Sequence, residues 1–199
     1  MITRRKFTLG AAAAGALAQS PLALSAASQP SAVVKFDVPA GACDCHTHIY
    51  GPKMWAQRNY TPETNTPAEM TKLHQVLHIE RVVIVTPVNI YGPDNSVTIE
   101  GMKVRGKNAR GVASIDETTS EKELDRLDKL GFRAIRKELR AAYQSSPAEA
   151  RKIFETNARR VQRLGWHILL QVELPMLTSM RGVLENSPIP VVIDGFGHP

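Results

Sequence analysis

Asp44, Cys45, His46, Thr47 and His48 stand together at the end of a short apolar run. In a strand, residues two apart project from the same face. His46 and His48 are therefore expected to point together with Asp44 beneath them, while Cys43, Cys45 and Thr47 face the helices. Two adjacent imidazoles can ligate one divalent metal at about 2.0–2.1 Å each. They can also work as a proton-transfer and polarising pair. A single histidine in this place more often only ends a strand; the His-x-His spacing after an acid argues for chemistry. The remaining histidines carry less. His74 and His78 are four apart on a helical pattern, but no Glu follows His74 as a zinc-protease motif requires, so both are expected on a helix surface. His167 opens a strand, and His198 follows Gly195-Phe196-Gly197. Cys43 and Cys45 are too close for an unstrained disulfide and are expected to be buried neutral thiols.

The elements that must position these side chains alternate in kind. Short apolar runs, rich in Val and Ile and bounded by turn residues, read as buried strands: Ala42–His46, Val82–Thr86, Gly111–Ile115, Phe132–Arg136, Ile168–Val172 and Val191–Asp194. Amphipathic segments lie between them. Thr66-Pro67-Ala68-Glu69, Ser120-Glu121-Lys122-Glu123 and Ser146-Pro147-Ala148-Glu149 are capping boxes, each opening a helix. Met70, Leu73 and Leu77 recur at helical spacing after the first box. Gly131 and Gly165 close the helices that follow the second and third. Weaker helical patterns cover Val97–Val104 and Pro175–Asn186. Alternating strands and helices imply a parallel sheet with helical crossovers, either an open doubly wound sheet or a (β/α)8 barrel. A barrel takes about 250 residues, so as a barrel this chain is truncated after about the sixth strand.

Composition removes several classes. With 43% hydrophobic and 22% charged residues the chain is neither disordered nor fibrous. Three of the six net positive charges belong to Arg4, Arg5 and Lys6, and no basic run is interleaved with aromatics, so nucleic acid is not an expected partner. The paired arginines precede an apolar stretch, Leu9 to Ala18, that is too short to span a bilayer comfortably. Residues 1–18 are expected to be a twin-arginine signal, 19–40 a lead-in and 41–199 the partial barrel domain. The mature form would then be periplasmic, without stable membrane association.

The run Ala42-Cys43-Asp44-Cys45-His46-Thr47-His48-Ile49-Tyr50-Gly51-Pro52 resembles the opening of the amidohydrolase-related (amidohydrolase 2) family, in particular its branch of 2-pyrone-4,6-dicarboxylate lactonases. Further stretches match in order: Tyr60-Thr61-Pro62, Val82–Pro87 leading to Tyr91-Gly92-Pro93-Asp94-Asn95, Gly111-Val112-Ala113, Phe132–Arg136, Leu164–His167 and Pro190–Asp194. The resemblance implies a TIM-type (β/α)8 barrel with its site at the C-terminal strand ends. It also implies hydrolysis of a lactone or related cyclic ester of a small carboxylated substrate, by carbonyl polarisation and water attack.

On that reading His46, His48 and Asp194 are the catalytic candidates. Arg136, Tyr60, Tyr91 and Asn95 are the substrate-binding ones. Arg136 is the best carboxylate ligand because a guanidinium fork matches a carboxylate bidentately; Lys137 and Arg140 are nearby. The superfamily often uses His-x-His to hold zinc or a similar ion, whereas the lactonase branch works without one, so His46 and His48 are metal ligands only if a metal is used. Two departures stand out. The family's sixth strand ends Asp-His, and here it reads Asp194-Gly195. The family's essential acid on an eighth strand has no counterpart in these residues. The alternatives are an inactive truncated barrel, or a metal-dependent amidase or decarboxylase of the same superfamily.

Overall fold

The computed structural model describes residues 29–197 apart from 31, 33 and 59. The expected signal segment, most of the lead-in and His198 lie outside the described residues. Six strands form one sheet in chain order: β1 (Cys43–Thr47), β2 (Arg81–Val85), β3 (Ala109–Ser114), β4 (Phe132–Glu138), β5 (His167–Gln171) and β6 (Val191–Ile193). Every pairing is parallel. Parallel neighbours need crossovers, which the helices supply: α1 (Pro67–Val76), α2 (Val88–Tyr91), α3 (Ser96–Arg105), α4 (Glu121–Lys129), α5 (Arg140–Ser145), α6 (Pro147–Gln162) and α7 (Leu174–Glu185). The sheet curls into part of a TIM-type α/β barrel. No helix among the described residues is long and apolar enough to cross a membrane.

The strands divide the core in two by alternation, which in β4 is interrupted between Phe132 and Ala134, where the register against β3 shifts. One set of side chains, including Val82, Ile84, Ala113, Phe132, Ile135, Ile168 and Leu170, packs against the helices. The other set is a small inner layer of Val85, Val112, Ala134 and Leu169, one residue from each of β2 to β5. Arg136, two residues beyond Ala134, therefore points into the barrel at its C-terminal mouth.

The helix starts follow the sequence signals with one qualification. Thr66 and Glu69 close a reciprocal capping box. Ser120 and Ser146 accept from the backbone of Glu123 and Glu149 but receive no reciprocal bond from those carboxylates, so both boxes are only half made; the Glu123 carboxylate turns instead to Arg126.

The first strand departs from the expected alternation. Asp44 pairs with Val82 and Thr47 with Ile84, so three steps on β1 match two on β2. This is a β-bulge, and an extra residue inverts the faces on either side of it. Asp44 consequently lies on the helix side and not beneath His46 and His48. The bulge, on a strand with a single neighbour, also leaves Cys43 only half-buried and Cys45 exposed, both as free thiols. The expected burial of the pair is corrected accordingly.

Gly101 of α3 lets the helix come down on this region. A Cβ there would lie 2.1 Å from Cδ1 of Ile49, the residue after His48, and 2.9 Å from Cδ1 of Ile84. Alanine favours a helix over glycine by about 1 kcal/mol, but overpacking a tight core costs about 1–3 kcal/mol. Gly101→Ala should therefore lower the urea midpoint of unfolding despite its better helix propensity.

Candidate active site

The strand ends bring four sequence-predicted residues together at the barrel mouth. The His46 and His48 rings meet edge to face with centroids 5.0 Å apart. Asp194, directly after β6, places Oδ1 3.6 Å from Nδ1 of His46. Its Oδ2 accepts from Nη2 of Arg136 at 2.6 Å. The same Nη2 donates to Gln171 Oε1 at 3.0 Å. Gln171 follows Leu169 on the inner face of β5 and contributes its amide oxygen as a polar group at the strand end. The Arg136 fork is thus partly used by the protein's own carboxylate. Its Nε is buried without a partner, and Nη1 makes no hydrogen bond among the described residues.

His48 is fixed by its neighbours. Nδ1 lies 2.7 Å from the Val85 carbonyl oxygen. A carbonyl can only accept, so Nδ1 carries the proton and Nε2 presents a lone pair. Asn65 holds the His48 carbonyl at 2.8 Å, and an antiparallel bridge between Tyr50 and Asn65 ties down the following loop. Burial lowers the His48 pKa to about 4, against a smaller opposing effect of the Val85 bond. His46 is lowered from its ordinary value, again first by burial, with Asp194 opposing. Both imidazoles are therefore neutral near pH 7. A neutral His48 with this tautomer can accept a proton or a hydrogen bond, but it cannot donate one to a substrate carbonyl.

Tyr91 and Asn95 turn out to be structural. The Tyr91 hydroxyl accepts from Gly51 N at 2.7 Å, and the residue is 2% exposed. Asn95 Oδ1 accepts from Thr86 Oγ1 and from Ser114 N, while Nδ2 donates to the Pro93 and Ser114 carbonyls. With every polar atom spent inside the protein, neither is placed to meet a substrate. The loop position that suggested them is real, but their side chains turn back into the core. Tyr60 is about half exposed. It hydrogen-bonds Tyr50, whose phenol is raised above its ordinary pKa by burial and then by this partner. Tyr50 stands 5.9 Å from the His48 ring, and its position in the opening motif was the signal for it. Lys137 is drawn to the Ile115 carbonyl at 2.5 Å, and Arg140 pairs with Glu173 at 2.8 Å. A cavity of about 420 Å³ is lined by Trp55, Asn89, Lys137, Glu138 and Arg140, and by Gln171, the partner of Arg136. A larger recess of about 560 Å³ between the β3–α4 loop and α6 contains none of these site residues.

His74 corrects a second expectation. It is not on the surface but 1% exposed, with Nε2 3.1 Å from Asp44 Oδ2. The spacing of Met70, Leu73 and Leu77 already placed position 74 on the inward stripe of α1.

The fit of a metal can be judged from the donors. Nε2 of His46 and of His48 are free, but the nearest carboxylate, Asp194, is held by Arg136. No group of three His, Cys, Asp or Glu converges among the described residues. A catalytic zinc takes three protein ligands, so this donor set falls short and no chemistry is routed through a metal here.

A family model described as amidohydrolase matches residues 43–199. The chain belongs to the amidohydrolase family. It is 31% identical over 170 residues to 2-pyrone-4,6-dicarboxylate hydrolase of Comamonas testosteroni, covering 83% of this chain and 54% of that protein. It is 30% identical over 172 residues to 4-sulfomuconolactone hydrolase of Rhizobium radiobacter, covering 84% and 57%. The chain thus spans little more than half the length of the curated relatives it matches. Among solved structures it resembles a probable 2-pyrone-4,6-dicarboxylic acid hydrolase of Acinetobacter baumannii with citric acid bound. The TM-score is 0.65 at 21% identity, covering 79% of this chain and 59% of the other, a likeness of fold.

The tautomer and pKa of His48 are directly measurable. Ring ¹⁵N shifts should report Nδ1–H and no protonation down to about pH 5. The unfolded chain takes up a proton near pH 6.5 while the folded one resists it. This stabilising contribution is present above pH 6.5 and lost as pH falls toward 4. Asn95→Ala, in turn, should cost about 1–3 kcal/mol in a denaturant titration, because the buried Ser114 N–H loses its acceptor.

Proposed function

We propose that the protein is a hydrolase that opens the lactone ring of a small carboxylated molecule. The observation that carries this reading is the His46–Asp194–Arg136 arrangement beside a neutral His48, in a family member whose curated relatives are lactone hydrolases. The Asp194 carboxylate, 3.6 Å from Nδ1 of His46, favours the tautomer with the proton on Nδ1 and leaves Nε2 to act as the base. Water then attacks the lactone carbonyl carbon while its proton passes to His46 Nε2. The ring C–O bond breaks, and the leaving oxygen takes the proton back, giving a hydroxy acid. Asp194 stabilises the His46 imidazolium between the two transfers. His48 Nε2 accepts a hydrogen bond from the water's other O–H, which stays on the water, and so fixes its direction. Arg136 receives the substrate carboxylate on Nη1. The paired arginines and apolar stretch within residues 1–18 support an exported, periplasmic mature enzyme, which cell fractionation would test.

The test is ring opening of carboxylated lactones, followed by proton release in a pH-stat. Wild type should open at least one of a panel of five- and six-membered rings. His46→Ala should lower kcat by about 10²–10⁴, the usual contribution of a positioned general base. Because the base must be unprotonated and its pKa is lowered, kcat/KM should be flat above pH 6.5 and fall at more acid pH. Retained activity in His46→Ala would remove the histidine from the mechanism.

A further inference from the structure

The buried histidine of α1 is used by none of the chemistry above, yet it is joined to it through one carboxylate. Asp44 Oδ1 accepts the backbone N–H of His46 at 3.0 Å. Its Oδ2 lies 3.1 Å from Nε2 of His74. His46 sits within the bulge, between the registered residues Asp44 and Thr47. A bulge leaves backbone groups outside the ladder, and a backbone donor without a partner is costly unless a side chain takes it. Asp44 supplies that acceptor. Its own orientation is set by a histidine 1% exposed in the helix layer, whose Nδ1 is buried with no partner. A residue kept in the core with one ring nitrogen unsatisfied loses stability there relative to an apolar side chain. The Asp44 contact is the one hydrogen bond the His74 side chain makes among the described residues.

We propose that His74 is a positioning residue: acting through Asp44, it fixes the bulge that turns the His46 ring toward Asp194 in the barrel mouth. The direction of the Asp44 pKa agrees, since it is held below the ordinary carboxylate value first by His74, with the His46 N–H also lowering it. Without His74, the carboxylate is free to rotate toward solvent, β1 can return toward regular pairing, and regular alternation re-aims the segment. The role assigned to His46 rests on the hydrolase reading; the positioning itself does not.

The experiment therefore reads geometry first and turnover second. Ring ¹⁵N and ¹³C resonances of His46, assigned in the full chain, are compared in wild type, His74→Leu, His74→Gln, Asp44→Ala and Asp44→Asn. His74→Leu and Asp44→Ala should shift the His46 ring and backbone amide signals, and His74→Gln, which can still donate to Asp44, should restore them. Asp44→Asn should stay close to wild type because it still accepts from His46 N–H. Where a lactone substrate is in hand, the two disruptive variants should lose about 10²-fold in kcat, the scale of a 1 Å misplacement, with KM little changed. Should His74→Leu fail to fold, His74→Met, which likewise cannot donate to Asp44, takes its place, and Asp44→Ala, at a side chain 29% exposed, reads the Asp44 link alone. Unmoved His46 resonances in a folded disruptive variant would overturn the proposal, as would a His74→Gln spectrum as perturbed as that of His74→Leu. Absence of any lactonase activity in wild type would count against the hydrolase reading and leave the resonance test standing.

Discussion

The Asp194 carboxylate lies between a guanidinium of β4 and an imidazole of β1. β1 and β6 are the first and last strands of the sheet and do not pair with one another. A residue that follows β6 can approach a residue of β1 only if the sheet curls so that its ends face each other across a common mouth. This electrostatic contact is therefore also a statement about curvature. The Arg136–Asp194 pair is nearly buried, with side chains 9% and 15% exposed. Removing one member of such a pair costs about 3–5 kcal/mol, because the other charge is left without compensation. The inner layer of Val85, Val112, Ala134 and Leu169 below it is small and apolar. It supplies no polar alternative for either charge, so each depends on the other, Arg136 with Gln171 and Asp194 with His46 as second neighbours.

The second constraint is the accounting of backbone and ring nitrogens on β1. His48 commits Nδ1 to Val85, His46 turns Nδ1 to Asp194, and the His46 amide goes to Asp44. Each commitment uses one nitrogen of a group that has two functions, and each leaves the other nitrogen facing the mouth or the ladder. The rings are defined by what they have given up. Neutral imidazoles with free Nε2 atoms are the outcome, and burial keeps them neutral.

Much of this was legible in the sequence. All six strands were read from apolar runs to within two residues, because buried parallel strands are continuous and bounded by turns. Three helix starts came from Thr66, Ser120 and Ser146. The short helices α2 and α5 were not legible: a single turn carries too few positions to show a period. The faces of β1 were misread because strict alternation was assumed, and nothing in Asp44-Cys45-His46-Thr47 announces a bulge. The burial of His74 was legible in principle. Its position on the stripe of Met70 and Leu77 outweighs its polarity once Asp44 has been turned to the helix side. Tyr91 and Asn95 failed for a related reason, since a loop position fixes the Cα and not the direction of the side chain.

The occupied fork of Arg136 also bears on how a substrate would alter the site. Arg136 lowers the pKa of both imidazoles through its charge, whereas Asp194 raises them. In the free protein the two charges oppose each other at short range and the mouth is close to neutral. A carboxylate docked on Nη1 adds a second negative charge near the guanidinium. On the proposed reading it offsets the effect of Arg136 on His46 and raises the basicity of that ring while substrate is bound. A general base works best when its pKa approaches the operating pH, and burial alone has moved His46 the wrong way. Substrate charge and base strength would then be coupled through one arginine, favouring anionic lactones over neutral ones in the chemical step as well as in binding.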